Sequence, residues 1–302
     1  MTEELDPRAL RAFCSVAEHG ILTRAAAALG VAQSALSRRV AALERTLGGR
    51  LFHRTGRGVV ATDLAQRLQT RARAILAESD ALLEEARGER ASPAGTVELG
   101  LVPAVSRPMV SALVTRLRRD TPRIRLRATE GYSGQVEEWL ASGRIDIGLF
   151  NRYGRGAVRG AELFLHSDIV LVAPRGQFPI TGPEVPFRAL DGLPLVLPPR
   201  PNSLVAAVYD LALRRRVALD MALEAGSPAL IRDAVGNAGL CTLVPGHLAL
   251  REYAESTFIV ARVVKPSIQQ KTWLAFTTQR PASLAVRLVG RLIREFAPAL
   301  TR

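Results

Sequence analysis

The stretch "AAAALGVAQSALSRRVAALE" (residues 25–44) decides how the N-terminal part of the chain folds. Gly30 separates two short apolar runs, and Ser34, Ser37, Arg38 and Arg39 crowd just beyond it. In the second run Leu36, Val40, Leu43 and Leu47 recur at spacings of 4, 3 and 4. At 100° per residue these four gather on one side of a helix, and Ser34, Arg38, Ala41 and Arg45 fall on the other. Upstream, Leu10, Phe13, Cys14 and Ala17 predict an amphipathic helix over residues 7–19, ended by Gly20. Thr23 is expected to N-cap a second short helix with Ala25, Ala26 and Leu29 on one face, closed at Gly30. A short helix, a tight turn at residues 30–32 and a helix with a small, cationic outer face make a helix-turn-helix.

Such a face fits the major groove of DNA, about 12 Å wide, where Arg38 can reach guanine or phosphate and Gln33 adenine or phosphate. Ser34, Ser37 and Arg39 share that helix, and Thr23 and Arg24 stand at the start of the helix before it. After Gly48 and Gly49, "RLFHRTGRGVVAT" (residues 50–62) reads as two short strands around a turn at residues 55–58. On this wing Arg54 and Arg57 are expected to contact the DNA backbone or the minor groove. Residues 1–62 carry nine arginines against five acids, a net of +4 that suits phosphate contacts.

The whole 302-residue chain has a formal net charge of +13, which favours a polyanionic partner. Only Lys265 and Lys271 among the 41 basic residues are lysines, so part of this arginine excess reflects a compositional bias, and its placement carries the argument. No run approaches the roughly 20 apolar residues that span a bilayer, and the N-terminus "MTEELDPRALRAF" is acidic and polar. A cytoplasmic protein without a membrane partner is expected. Cys14 and Cys241 lie far apart with no CxxC pair, which argues against a metal site or disulfide framework. No cofactor motif is present either: "GNAGL" from Gly236 is not a GxGxxG fingerprint.

Thr62 and Asp63 start a further helix, with Leu64, Leu68, Ala72, Ile75, Leu82 and Ala86 on one seam to about residue 90. A lone helix with one apolar seam calls for a partner, and palindromic DNA calls for two-fold symmetry, so this is read as a dimerisation helix. "ASPAG" (residues 91–95) is a hinge by composition. Beyond it strands and helices alternate, from "TVELGLV" (96–102) through "RIRLRAT" (123–129) and "IDIGLF" (145–150). A second series runs from "DIVLVAP" (168–174) to "LCTLVP" (240–245), and "KTWLAFTT" (271–278) with the last helix is expected to return to the first. This alternation predicts a doubly wound, parallel α/β sheet.

Residues 13–17 and the run "LTRAAAALGVAQSALSRRVAALERTLGGRLFHRTGRGVVAT" (22–62) resemble the winged helix-turn-helix of LysR-type transcriptional regulators, and the order of wing, long helix, hinge and two α/β halves resembles the family over essentially the whole chain. Ala32 and Ser34 stand where the family commonly has serine and proline around Gln33, and Ile21 where serine is frequent, so base contacts transfer less directly than the fold. Residues 129–150 look most like the branch of nitrogen assimilation regulators. The resemblance implies an α/β protein with an N-terminal all-α, winged domain (1–62), a linker helix and hinge (63–94), and a two-lobed periplasmic-binding-protein-like effector domain (95–302). Lobe I would comprise about 95–163 and 268–302, and lobe II about 164–267. It implies a homodimer or homotetramer on double-stranded promoter DNA, with RNA polymerase as a further partner, and a small-molecule effector closed between the lobes.

Mapped onto this chain, the effector residues are Val102, Pro103, Ala104, Val105 and Ser106, Tyr132 and Ser133, Asn151, Asn202 and Ser203, and Val244 and Pro245, at strand ends near helix N-termini. Arg200 and Arg107 are close to them in sequence; they either serve an anionic effector such as a carboxylate or are solvated surface residues. A redox role for Cys241 fits poorly, since resemblance to peroxide-sensing relatives would call for a second cysteine in the same domain. Among other classes, an enzyme would need a nucleophile elbow, an HExxH or a partnered histidine, and His166 and His247 have none of these. A small-molecule-binding module without DNA regulation leaves the helix-turn-helix without a role.

Overall fold

The computed structural model describes residues 5–56, 58–87, 93–154, 156–180, 182–253 and 256–300, which form two compact units. The first begins with α1 (Pro7–His19), α2 (Leu22–Ala28) and α3 (Gln33–Thr46). Asp6 caps α1, its carboxylate accepting from the Arg8 N–H at 2.8 Å, and Gly20 ends it at φ 65°. Their apolar faces meet in one core in which Phe13, Leu36 and Leu51 are almost wholly buried. The Ser15 hydroxyl ties α1 to α2 by donating to the Ala25 carbonyl at 3.1 Å.

The wing is the antiparallel hairpin β1 (Phe52–Thr55) and β2 (Gly58–Ala61). It is pinned at both ends. The Glu44 carboxylate of α3 accepts from the Leu51 N–H at 2.8 Å, and the Val59 N–H donates to the Gly20 carbonyl at 2.8 Å. That approach explains Gly58: a Cβ there would lie 2.4 Å from the Gly20 carbonyl oxygen, at a φ of 145°. Then α4 (Asp63–Arg87) starts at Thr62, whose hydroxyl accepts from the Ala65 N–H at 3.2 Å. Ile75, Leu82 and Leu83 on α4 are exposed. Residues 88–92, which include the first two of the five expected hinge residues (91–95), lie outside the described residues.

In the second unit β3 (Gly95–Leu101), α5 (Pro103–Asp120), β4 (Ile124–Glu130), α6 (Ser133–Ala141) and β5 (Ile147–Tyr153) follow the expected alternation, and β3 pairs in parallel with both β4 and β5. Gly148 lets α6 close on the sheet, since a Cβ there would lie 2.6 Å from Leu140, and Gly100 makes room for the Ile145 side chain, which a Cβ would meet at 2.5 Å. The chain continues through β6 (Ala161–Pro174), β7 (Glu184–Pro186), a 3-10 turn (Phe187–Leu190), β8 (Pro194–Leu197), α7 (Ser203–Arg215), β9 (Asp220–Glu224), α8 (Pro228–Asn237), β10 (Thr242–Pro245), α9 (Gly246–Glu252), β11 (Phe258–Val264), β12 (Gln269–Phe276) and α10 (Leu284–Leu300).

The sheet is mixed and departs here from the parallel expectation. β6 pairs antiparallel with β10, β11 and β12, and β12 also lies antiparallel against β5. The 14-residue β6 runs through both halves of the unit, so strands on each side use opposite ends of one backbone ladder. Two apolar clusters cover the two faces of the 164–268 half. One, around Leu171, Phe187, Val208 and Cys241, packs α7; the other, around Val172, Ile231 and Tyr253, packs α8 and α9.

Candidate functional site

Two places concentrate chemistry. On α3, Leu36, Val40 and Leu43 are buried, which leaves the opposite side to Gln33, Ser34 and Arg38, all exposed. The Gln33 amide donates to the Ser37 hydroxyl at 3.0 Å, one turn on. Arg39 lies at the edge of this face, half-buried, where Asp6 and Ala9 border a shallow depression. Thr23 and Arg24 are exposed at the start of α2, and Arg54 is exposed on β1. Arg57 lies outside the described residues. Among the described residues none of Arg24, Arg38, Arg39 and Arg54 is paired with an acid, whereas Arg107, Arg127, Arg152, Arg262 and Arg294 of the second unit all are. Arg24, Arg38 and Arg54 are exposed and Arg39 half-buried, and guanidiniums without an acid partner are free to bind phosphate or base edges.

One expectation fails here. Thr23 does not cap α2, which begins at Leu22 behind Ile21 with no side-chain cap. Packing of Ala25 and Ala26 against α1 fixes that start, and propensity does not. Likewise α3 starts at Gln33 with no side-chain cap, so Ser34 is a second-position residue.

The second place is a pocket of about 120 Å³ where strand ends and helix starts of the two halves of the second unit converge. Of the residues the sequence nominated, Val102, Pro103, Ala104, Tyr132, Ser133, Asn151, Asn202, Ser203, Val244 and Pro245 line it. Val105, Ser106 and Arg200 do not. Val105 is fully buried on the core side of α5. The Ser106 hydroxyl is engaged by the Pro103 carbonyl at 3.2 Å and by the Glu130 carboxylate, one turn into the helix and facing the sheet. Arg200 is exposed and stacks on the Tyr209 ring at 4.3 Å, so adjacency in sequence to Asn202 does not bring it into the pocket. Arg107 is also outside, 3.1 Å from Glu252.

Polar groups hold the pocket across its width. The Ser133 hydroxyl accepts from the Asn151 N–H at 3.0 Å and lies 3.4 Å from the Ser203 hydroxyl. The Asn151 side-chain Oδ1 accepts from the Thr272 hydroxyl at 2.8 Å, and the Tyr132 hydroxyl reaches the Gly226 backbone carbonyl at 3.4 Å. Sequence reasoning missed Tyr153, Pro198, Leu204, Ala225–Pro228, Ile231, Leu243, Leu248, Glu252, Tyr253 and Gln270 on the lining. Ser227 and Pro228 had a readable signal, an N-cap followed by proline after a strand, and Ser227 does accept from the Leu230 N–H at 3.3 Å. Gln270, in mid-strand, had none. Among the described residues no group of His, Cys, Asp and Glu is placed to hold a metal, and no helix is long and apolar enough to cross a membrane.

Both cysteines are poor nucleophiles. Burial pushes the Cys14 thiol up to about 11 and the Cys241 thiol up to about 12, so both stay protonated near neutrality.

Comparison with known proteins extends over both places. Residues 7–66 match the family model for the bacterial regulatory helix-turn-helix protein, lysR family, and residues 90–298 match that for the LysR substrate binding domain. A probable hydrogen peroxide-inducible genes activator of Streptomyces viridosporus is 39% identical over 78% of this chain and 72% of its own. The nitrogen assimilation regulatory protein nac of Klebsiella aerogenes is 27% identical over 95% of this chain and 93% of its own. Full-length OxyR of Pseudomonas aeruginosa superposes with a TM-score of 0.75 at 19% identity, covering 96% of this chain and 95% of that one, a likeness of fold alone.

Proposed function

The chain belongs to the LysR family of bacterial transcriptional regulators, DNA-binding proteins with an effector domain and not enzymes, and from that premise we propose how this member acts. The outer face of α3, with Gln33, Ser34, Ser37, Arg38 and Arg39, enters the major groove of promoter DNA. Thr23 and Arg24 hold the adjoining backbone, and Arg54 and Arg57 of the wing reach the backbone or minor groove. The four arginines of this unit without an acid partner, Arg24, Arg38, Arg39 and Arg54, carry the reading. Pairing through the exposed apolar residues of α4 supplies the two-fold symmetry of a dimer, and a tetramer is a pair of such dimers. The protein works in the cytoplasm, where RNA polymerase is the partner through which promoter binding changes transcription.

The pocket between the two halves binds a small effector. Its occupation shifts the regulator between quaternary states to the extent that the ligand prefers one of them. Footprinting of the purified protein on the DNA upstream of its own gene, with a salt titration, tests the DNA reading. A discrete protected site with steep salt dependence is expected. Arg38→Ala should weaken that site by about 1–3 kcal/mol, roughly 5- to 150-fold, and leave binding to unrelated DNA within a few-fold. Salt-steep binding indifferent to sequence and to Arg38 would remove the specific-operator reading.

This regulator has no cysteine-based peroxide response, although a relative is named as a probable hydrogen peroxide-inducible genes activator. The only two thiols are Cys14 and Cys241, both held protonated by burial. The operator footprint is expected to be the same before and after stoichiometric hydrogen peroxide, and a shift abolished by Cys241→Ser would refute this.

A further inference from the structure

Accepting that the pocket is the effector site, we infer that its ligand is an uncharged, largely apolar molecule of phenol-like size with one hydrogen-bond acceptor, and not a carboxylate. The wall is made by Val102, Pro198, Ile231, Leu243 and Leu248 among other apolar groups. Among the described residues that line it there is no arginine, lysine or histidine, and the only charged side chain is the Glu252 carboxylate. Arg107 and Arg232 lie beside Glu252, at 3.1 and 3.7 Å, but neither lines the pocket.

Helix N-termini converge on the site, yet much of their capacity for an anion is already used. The Asn202 side chain accepts from the Leu204 and Val205 N–H groups at the start of α7, and Ser227 accepts from Leu230 at the start of α8. Both α5 and α8 begin with proline, which has no N–H. A carboxylate would therefore lose its water without meeting a cation, next to another carboxylate.

One donor is free. Gln270 is 1% exposed, lines the pocket, and its Nε2 has no hydrogen-bond partner. Its Oε1 is taken by the Tyr153 hydroxyl at 2.7 Å, and burial pushes that phenol's pKa up, so it stays a donor and keeps the amide oriented. A buried amide N–H without a partner is costly unless something completes it. An acceptor oxygen on the ligand does so. The size follows from the volume: a cavity of about 150 Å³ in another protein takes benzene, and this one offers about 120 Å³.

The test is calorimetric titration of the full-length protein with phenol, benzamide and benzoate near pH 7.5, benzamide and benzoate being nearly isosteric and differing in charge. Phenol and benzamide are expected to bind, with benzoate at least about tenfold weaker than benzamide. Gln270→Leu should weaken phenol and benzamide about fivefold or more without changing benzoate. The benzamide-to-benzoate ratio in the unaltered protein stands as evidence even if Gln270→Leu does not fold. Benzoate binding as tightly as benzamide, or no binding of any of the three, would overturn the uncharged-ligand inference and leave the cleft reading intact. Binding that survives Ile231→Trp, which fills the pocket, would place the probes elsewhere, and the cleft reading would fall with the inference.

Discussion

Phe13→Ala is expected to cost the N-terminal unit about 3–5 kcal/mol, a large share of what holds a domain of this size together. Phe13 is 1% exposed at the centre of the only core this unit has among the described residues, and its ring lies 5.7 Å from that of Phe52. It therefore ties α1 to the wing as well as to α3. Truncation leaves a cavity bordered by three elements, and short helices such as α2, seven residues long, have little stability of their own with which to close it. Chemical denaturation should show the transition of the N-terminal unit moving to lower denaturant while that of the effector unit stays in place. Operator binding should fall in proportion to the unfolded fraction, and added ligand should not restore it. Unchanged denaturation of the N-terminal unit would mean that the core closes over the gap.

The second large effect is a loss of stability in acid, set by His247 on α9. His247 is 8% exposed, and neither ring nitrogen makes a hydrogen bond of normal geometry. Burial lowers its pKa from 6.5 to about 4; the nearby Arg251 charge lowers it further, and the Ala104 backbone opposes both. Above about pH 7 the ring is neutral in both folded and unfolded chains and contributes no pH dependence. Below 6.5 the unfolded chain takes up a proton that the folded chain refuses until about pH 4. Stability therefore falls across that interval, by about 3 kcal/mol in all, and the deficit stays constant below it. His247→Leu removes the proton and the unpartnered nitrogens together. Urea denaturation of both proteins should give similar stability near pH 7.5 and a gap of about 2–3 kcal/mol in favour of the variant near pH 4.5. A gap that does not change with pH would show that His247 takes up its proton equally in the folded and unfolded chains, so that burial does not lower its pKa.

The three N-terminal helices and the wing were legible in the sequence because their causes are local. Apolar spacing at 3 and 4 residues, Gly20 at a left-handed helix end and glycines in the turn around residue 57 each act within a few residues of themselves. In the effector unit β3, β4, β5, the second half of β6 (residues 168–174), β10 and β12 were legible for the same reason, whereas the first half of β6, β7 and β11 were not. What failed locally was Thr23, where packing of Ala25 and Ala26 overrode a favourable cap.

Only the tertiary structure decided the rest, because it depends on residues far apart in the chain. Nothing near residues 161–174 says that one strand will run through both halves of the unit and turn a parallel arrangement into a mixed one; its partners are β10, β11 and β12, about 70 to 115 residues later. The character of the pocket is equally non-local. Sequence adjacency placed Arg200 beside the effector, and the fold instead stacked it on Tyr209. In its place, β12 brought Gln270 to the lining, more than 100 residues from Asn151, whose partner Thr272 lies on the same strand. The sequence alone determined the N-terminal helices and wing, many elements of the effector unit, and that a cationic helix faces outward. Which side chains the ligand meets, and their charge, followed from strand order, since opposing walls of a cavity are set by long-range pairing and not by the residues on either side.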